Sequence, residues 1–303
     1  MPREHTGSPS SSSEPHPTAR TVRPGFRGKV AAVRLIDSAG LPGASGRLSE
    51  DRFGAAGNLA WVIDGASDFR NERHLPAASN VHWLVDRVHE ALRERGAAGS
   101  VVSGTGLLSE LQAEIAAELA RYDLREMRQH PCCSLALLVV RPGFVEIVRV
   151  GDAVGFLRGG SLELEVSTGF FDAREAAAVE RAKTLELTAE EITSAMYRRR
   201  AEYIRGINGE SVFSGHPEGN LFAHSLLVPR RGAGLVVLLC TDGLARAVTE
   251  YRLFPGWPAL LDACLGKGLE AVIAELRAFE NAAASVPGKF KRSDDVAAVL
   301  VEV

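Results

Sequence analysis

The chain contains two apolar runs, Trp61-Val62-Ile63-Asp64-Gly65 and Leu238-Leu239-Cys240-Thr241-Asp242-Gly243, that each end in aspartate followed by glycine. Such a run is typical of a buried strand, so each aspartate is expected at the exposed end of a strand. Glycine lets the backbone beside the carboxylate come close to whatever binds there. A single Asp-Gly pair is also a common turn signal, and each pair taken alone is consistent with an ordinary turn.

Two further strand ends carry acidic residues. An apolar run over 296–303 follows Asp294 and Asp295, and Gly151-Asp152 follows another such run. Isolated carboxylates beside a core are costly, and several of them together repel one another unless a cation neutralises their charge. Mg²⁺ and Mn²⁺ prefer oxygen ligands. The pattern therefore predicts a shared metal site, most simply two ions that share one bridging aspartate.

The composition is that of an ordinary globular protein. The chain has 303 residues, of which 46% are hydrophobic and 24% are charged, enough for one large domain or two small ones. A net charge of -3 gives no sign of a nucleic-acid surface. We find no apolar stretch of membrane-spanning length, no secretory signal at the start and no CxxC pair among the four cysteines. We therefore expect a cytoplasmic protein with reduced thiols that binds neither nucleic acid nor membranes.

The chain divides into a tail and one domain. Residues 1–25 are rich in Ser, Pro, Thr and His, which predicts a disordered tail, and residues 26–303 form the predicted domain. Strands, paired helices, strands, helices and a final strand indicate an α+β layered fold rather than a repeated βαβ unit. Arg198, Arg199 and Arg200 are interpreted as a solvated helix face. Strands are predicted over 30–36, 59–63, 134–140, 144–150, 153–157, 234–241 and 296–303, and helices over 78–95, 104–123, 188–204 and 260–279.

The predicted metal site favours one kind of chemistry. Two ions roughly 4 Å apart are a common device for hydrolysing phosphate esters, because they activate water and offset charge on the phosphoryl oxygens. A nearby arginine adds to that charge stabilisation. The chain has no GxSxG, GxxxxGKS/T or HExxH motif near a suitable strand or helix. The residues alone therefore point to metal-dependent hydrolysis of a phosphate ester.

Five motifs occur in the order found in metal-dependent (type 2C, PPM) serine/threonine protein phosphatases, and the chain resembles that family over residues 28–303. The resemblance implies a four-layer α-β-β-α sandwich with two central antiparallel β-sheets. It also implies a binuclear Mn²⁺ or Mg²⁺ centre at one end of the sandwich. The motifs are Ser49-Glu50-Asp51, Trp61-Val62-Ile63-Asp64-Gly65, Val150-Gly151-Asp152, Cys240-Thr241-Asp242-Gly243 and Ser293-Asp294-Asp295.

The resemblance assigns the bridging aspartate, a backbone carbonyl ligand and the carboxylates of the first metal ion. Asp64 resembles the aspartate that bridges both ions, and Gly65 resembles the residue that lends its backbone carbonyl. Asp242 and Asp294 match the carboxylates that hold the first ion. The neighbouring Asp295, which replaces a usual asparagine, is an alternative ligand to Asp294.

The remaining acidic motifs are assigned to the other ions. Glu50 and Asp51 match the pair that holds the second ion, largely through waters, although acidic pairs are also common on solvated surfaces. Asp152 matches the aspartate that, with Asp242, holds a weaker third ion. Arg246 stands where many members have a further acid, which puts the affinity for that third ion in question.

The chain also departs from the family at the phosphate-binding arginine. The usual arginine position is Gly46 here, and Arg47 follows one residue later. We assign Arg47 as the phosphate clamp, with Arg34 or Arg52 as alternatives. Ala66 stands where many members have a histidine or methionine, so no histidine is available there as a general acid.

Together these assignments predict a phosphoprotein phosphatase with Asp64, Asp242 and Arg47 as catalytic residues. The expected partner is a protein phosphorylated on serine or threonine, and the chain is expected to act as a monomer. A flap-like region over about 165–230 is expected to determine the choice of substrate. The alternatives are a catalytically weak or inactive phosphatase-like sensor or scaffold, and a two-metal phosphatase of small metabolites.

Overall fold

The computed structural model of the protein describes residues 32–70, 72–230, 234–282 and 293–303. The predicted tail over 1–25 and the start of the first predicted strand, 30–31, lie outside these residues. In chain order, the strands are β1 (Arg34–Leu41), β2 (Arg52–Ala56), β3 (Leu59–Gly65), β4 (Cys133–Arg141), β5 (Phe144–Val150), β6 (Val154–Gly159), β7 (Leu162–Val166), β8 (His224–Pro229), β9 (Val236–Cys240) and β10 (Val296–Glu302).

The helices precede and follow these strands in pairs or triplets. None of the helices in the described ranges is both long enough and apolar enough to cross a bilayer. They are α1 (Asn80–Ala98), α2 (Gly104–Leu119), α3 (Phe170–Thr184), α4 (Ala189–Arg205), α5 (Asp242–Thr249), α6 (Trp257–Lys267) and α7 (Leu269–Ala282).

The strands form two five-stranded antiparallel sheets. One sheet has the order β1-β10-β9-β6-β7, and the other has the order β2-β3-β4-β5-β8. Hairpins join β2 to β3, β4 to β5 and β6 to β7 within a sheet. The chain crosses between the sheets from β5 to β6, directly after Gly151 and Asp152.

Alternation along β3 shows why the two sheets pack face to face. Ala60 and Val62 join an apolar cluster shared with residues of β9 and β10 in the other sheet. Leu59, Trp61 and Ile63 point to the opposite face and pack with residues of α1 and α2. Successive side chains of a strand point to opposite faces, so an apolar strand without polar alternation must be covered on both sides.

The outer face of the β9–β10 sheet is covered in the same way. Residues of α5, α6 and α7 form a third apolar cluster with side chains of β9 and β10, including Leu238 and Leu300. Helices therefore flank both sheets. The predicted α+β fold, a four-layer α-β-β-α sandwich with two central antiparallel sheets, is confirmed.

The elements that the sequence patterns did not predict are β2, β7, α3, β8 and α5. The sequence of β2 is RFGAA and that of β7 is LELEV, both five residues long. Strand β8 lies at a sheet edge, where most of its side chains are exposed or partly buried. Short strands carry too little apolar surface for a strong pattern, and an edge strand does not need one.

Candidate metal centre

Strand pairing brings the acidic ends to one edge of the sandwich. Cys240 at the end of β9 pairs with Ala298 near the start of β10, so Asp242 and Asp294 lie at the same edge of their sheet. In the other sheet, Asp64 pairs with Ser134 at the start of β4. Leu135 of β4 in turn pairs with Val150 at the end of β5, which places the following Asp152 at that edge too.

The four acidic ends line one cavity. Asp64, Asp152, Asp242 and Asp294 form part of the wall of a cavity of ≈ 380 Å³. Residues of α3 and α4, within the predicted flap-like region of 165–230, line the same cavity, among them the acidic Asp172 and Glu175. The carboxylates come from segments up to 230 positions apart in the chain, and only the folded sandwich makes them neighbours.

The glycine after each aspartate is required by close packing. A Cβ atom at Gly65 would lie 2.5 Å from the backbone oxygen of Glu50. A Cβ atom at Gly243 would lie 1.9 Å from the backbone oxygen of Asp295. Both separations are shorter than real Cβ contacts, so any larger residue would push the segment that carries the next acidic motif away. The Asp-Gly pairs thus join neighbouring acidic segments and are more than turns.

Asp295 organises the loop that carries Glu50 and Asp51. Its Oδ1 atom accepts a hydrogen bond from the Gly43 amide at 2.7 Å, and its Oδ2 atom accepts one from the Glu50 amide at 2.6 Å. Both carboxylate oxygens therefore bind backbone amides. This arrangement favours Asp294, which lines the cavity, over Asp295 as the candidate ligand.

Glu50 and Asp51 occupy different environments. The Glu50 Oε1 atom accepts a hydrogen bond from the Ser79 hydroxyl at 3.0 Å and lies 3.8 Å from His82 Nδ1. Asp51 is 6% exposed; its Oδ1 atom is 3.4 Å from the Gly65 amide, and its buried Oδ2 atom has no hydrogen-bond partner among the described residues. A buried carboxylate oxygen without a donor is suited to a cation.

The carboxylates repel one another in this setting. Burial raises the pKa of Asp64 well above its ordinary value of 3.8, and the charges of Asp51, Asp242, Asp152 and Asp294 raise it further. Burial and neighbouring carboxylates also raise the pKa of Asp51. Burial, with the nearby Asp242 charge, raises the pKa of Asp152 to about 7. A cation in the cavity would relieve this repulsion and return the groups to their ionised forms.

Arg246 supplies one positive charge from within the fold. Its side chain is 3% exposed, and its Nη2 atom lies 2.9 Å from Asp294 Oδ2 and 3.3 Å from Asp242 Oδ2. Burial alone would lower the pKa of Arg246, but the charges of Asp242, Asp294 and Glu250 outweigh it and hold the pKa above its ordinary value. The guanidinium therefore stays charged beside two predicted metal ligands.

The acidic residues around the cavity differ in how well their surroundings suit a divalent cation. No three His, Cys, Asp or Glu side chains in the described part of the chain are arranged so that they could hold a metal ion as they stand. Near Asp51 and Asp64, the unpartnered Asp51 oxygen and the unrelieved repulsion suit a hard cation. Near Asp242 and Asp294, the Arg246 guanidinium already occupies the position between the two carboxylates.

The three arginines that the sequence suggested as phosphate clamps lie elsewhere. Arg47 is exposed in the 42–50 loop and is not among the residues that line the cavity. Arg34 forms an ion pair with Glu302, and Arg52 forms one with Asp86 at 2.7 Å. None of the three is placed beside the four cavity aspartates.

Two other arginines do line the cavity, Arg199 and Arg200 of α4. Arg199 donates from Nη1 to the carbonyl of Arg174 at 3.1 Å. Arg200 is 7% exposed and donates from Nη2 to the carbonyls of Ala66 and Ser67, so the interpretation of this residue as part of a solvated face is wrong. The run of three arginines was visible in the sequence, but only the docking of α4 shows which two turn inward.

Sequence comparison agrees with this geometry. The family model for protein phosphatase 2C matches residues 44–277. The chain belongs to the protein phosphatase 2C family. This family is metal-dependent, as the resemblance of the motifs implied. No curated protein matches the sequence at a significant level.

Solved structures show the same fold at low identity. The serine/threonine phosphatase PstP/Ppp of Mycobacterium tuberculosis is 16% identical with a TM-score of 0.53, over 89% of this chain and 99% of that chain. The PstP catalytic domain in complex with two manganese ions is 18% identical with a TM-score of 0.53, over 89% and 98%. Stp1 of Staphylococcus aureus is 14% identical with a TM-score of 0.54, over 92% and 99%.

Proposed function

We propose that this member of the protein phosphatase 2C family is a metal-dependent phosphomonoesterase that acts on phosphoserine or phosphothreonine in proteins. One observation carries the proposal. Four aspartates from distant strand ends, Asp64, Asp152, Asp242 and Asp294, line one cavity together with two arginines, Arg199 and Arg200. Acidic residues that hold a cation, opposite arginines that bind a phosphoryl group, are the parts that phosphate-ester hydrolysis needs.

The acidic wall makes the cation necessary. Without one, the carboxylates would repel a phosphate dianion and raise each other's pKa values, as they do at Asp64. Asp64 and the backbone carbonyl of Gly65, both on the cavity wall, would hold the ion together with Asp51, whose Oδ1 atom is 3.4 Å from the Gly65 amide. A bound Mn²⁺ or Mg²⁺ polarises the phosphoryl oxygens and lowers the pKa of a bound water.

Arg199 is the residue that we assign to the phosphoryl group. It lies on the cavity wall, and its bond to the Arg174 carbonyl restricts the side chain. A guanidinium binds two phosphoryl oxygens through parallel hydrogen bonds and keeps its charge at all relevant pH values. Arg200 is already bound to the Ala66 and Ser67 carbonyls, so we assign it to holding α4 against the segment after Asp64.

The test is substitution of the candidate ligands. We expect Asp64→Asn to lower hydrolysis of an aryl phosphate in Mn²⁺ by roughly 10³-fold, because it loses a charge that the cation requires. Circular dichroism should show an unchanged fold. The control is Asp262→Asn, since Asp262 is 65% exposed and pairs with Arg158 far from the cavity. Wild-type activity in Asp64→Asn would contradict the assignment.

A second candidate function is a binding-only sensor or scaffold that keeps the fold and recognises a phosphorylated partner. The observation that favours it is the pairing of Arg246 with Asp242 and Asp294, two predicted ligands. A sensor would bind a phosphopeptide without hydrolysing it, whether or not EDTA is present. Phosphate release that EDTA abolishes and Mn²⁺ restores would exclude this candidate.

A further inference from the structure

Arg246 bridges the two carboxylates that a metal ion was expected to bridge. A single guanidinium nitrogen, Nη2, lies within 3.3 Å of both Asp242 Oδ2 and Asp294 Oδ2. Each of these oxygens therefore already faces a positive charge. The family resemblance assigns the same two side chains to the first metal ion.

Helix geometry explains how the arginine reaches this position. Asp242 is the first residue of α5, and Arg246 follows four residues later. Side chains at this spacing lie one above the other, and long side chains of a helix tilt toward its N-terminus. The Arg246 side chain therefore points to the helix end, where Asp242 meets the start of β10. Its neighbours Leu244 and Ala247 are fully buried, which fixes this face of α5 against the core.

The cavity is consequently asymmetric in charge. On the Asp242–Asp294 side, the Arg246 guanidinium offsets the carboxylates. Beside Gly65, which lines the cavity, the buried Asp51 Oδ2 atom has no hydrogen-bond partner in the ranges that the structure describes. The strongest charges that act on Asp64 are those of other carboxylates, Asp51, Asp242, Asp152 and Asp294. A hard cation would find an unsatisfied ligand on one side and a competing positive charge on the other.

We infer that Arg246 takes the place of one divalent ion, so that the cavity binds a single cation on the Asp51–Asp64 side. An arginine is always protonated in proteins, so it cannot yield its position by losing its charge. A divalent ion between Asp242 and Asp294 would meet strong like-charge repulsion at contact distance. The inference rests on the proposed function for treating this cavity as the reactive site, but its test counts bound ions and needs no turnover.

The experiment is a metal titration of the full chain. Protein stripped with EDTA and dialysed is titrated with MnCl₂ by isothermal calorimetry, and native mass spectrometry counts the bound ions. Arg246→Met removes the charge and keeps a long side chain, whereas Arg246→Lys keeps the charge. The matched control is Arg277→Met, because Arg277 is a nearby, partly buried arginine that donates to the backbone carbonyl of Asp294 at 2.5 Å.

We expect one Mn²⁺ per chain for the wild type, Arg246→Lys and Arg277→Met, and two for Arg246→Met. Two ions or none on the wild type would overturn the inference, and so would a folded Arg246→Met variant that still binds one. If Arg246→Met does not fold, the wild-type count decides alone. One bound ion without any hydrolysis would sink the proposed function and leave this inference standing. Two bound ions with metal-dependent hydrolysis would overturn this inference and leave the proposed function standing.

Discussion

At the residue scale, the cavity contains unfavourable short-range electrostatic interactions that a bound cation would relieve. Asp64 and its neighbours raise each other's pKa values, and Asp51 keeps a buried oxygen without a donor. These features destabilise the metal-free protein, yet they lie together at the cavity that we propose as the reactive site. Strain of this kind concentrated in one cavity is typical of a functional site.

The choice between Arg199 and Arg47 as the phosphate clamp gives a residue-scale prediction. We expect Arg199→Ala to lower kcat/KM for an aryl phosphate by about 10- to 100-fold, because it removes charge-assisted hydrogen bonds to the phosphoryl group. Steady-state kinetics in Mn²⁺ measure the effect. Arg47→Ala and Arg198→Ala are the controls, since both side chains are exposed and neither lines the cavity. A larger loss in Arg47→Ala than in Arg199→Ala would restore the assignment made from the motif.

Gly65 gives a second residue-scale prediction. We expect Gly65→Ala to lower the free energy of unfolding by roughly 1–3 kcal/mol, because the new Cβ atom would overlap the Glu50 carbonyl. Urea unfolding measures the change. Gly266→Ala is the matched control, since a Cβ atom at Gly266 of α6 meets nothing within 4 Å, and we expect a small gain in stability there. An unchanged midpoint for Gly65→Ala would mean that the two segments are not held in close contact.

At the element scale, α4 determines the shape of the cavity wall opposite the aspartates. The helix begins with a capping box between Thr188 and Glu191 and packs through Ile204 against Cys132, Phe171 and Val212. Few of its residues are fully buried. A helix held by so small an apolar contact depends on specific polar ties for its position.

Arg200 makes the most direct of these polar contacts, and the prediction at this scale concerns its substitution. Its guanidinium donates to the Ala66 and Ser67 carbonyls and lies 5.0 Å from the Phe69 ring centre. We expect Arg200→Met to increase amide hydrogen exchange in α4 and in residues 66–70 while the sheets stay protected. Arg198→Met, at an exposed position of the same helix, should leave exchange unchanged. Equal exchange in both variants would show that Arg200 does not hold the helix.

At the scale of the whole molecule, the acidic cavity makes stability depend on pH. Burial raises the pKa of Asp152 to about 7, whereas an unfolded aspartate titrates near 3.8. Between these values the folded chain binds more protons than the unfolded chain, so the free energy of unfolding falls as the pH rises. Asp64 and Asp51 act in the same direction.

We therefore expect the metal-free protein to lose roughly 1–3 kcal/mol of stability between about pH 5 and pH 7.5. This energy is smaller than the full pKa difference would give, because Asp152 is partly exposed to solvent. Urea unfolding in EDTA at several pH values measures the loss. Asp152→Asn should flatten the profile, and Mn²⁺ should restore stability at the upper end because it favours the ionised carboxylates. Stability that rises with pH in EDTA would contradict this account.

The layered fold and its family could be inferred from the sequence because they depend on local patterns. Apolar runs without alternation, such as Leu59–Gly65, require cover on both faces, and this requirement leads to two stacked sheets flanked by helices. Five acidic motifs in order were sufficient to indicate the family, and the family model confirms it. Short or edge strands such as β2 and β8 escaped prediction, since packing rather than pattern makes them strands.

The side-chain partners at the site were decided by tertiary structure alone. The sequence placed Arg47 near the motif that should clamp phosphate, yet the 42–50 loop leaves it exposed while α4 brings Arg199 to the cavity. It showed an arginine at 246 without showing that its guanidinium lies between Asp242 and Asp294. Residue type and spacing determine which chemistry is possible, because local backbone geometry decides where residues at a given spacing lie on a strand or helix. Which charges meet depends on contacts between distant segments, and those exist only in the folded chain.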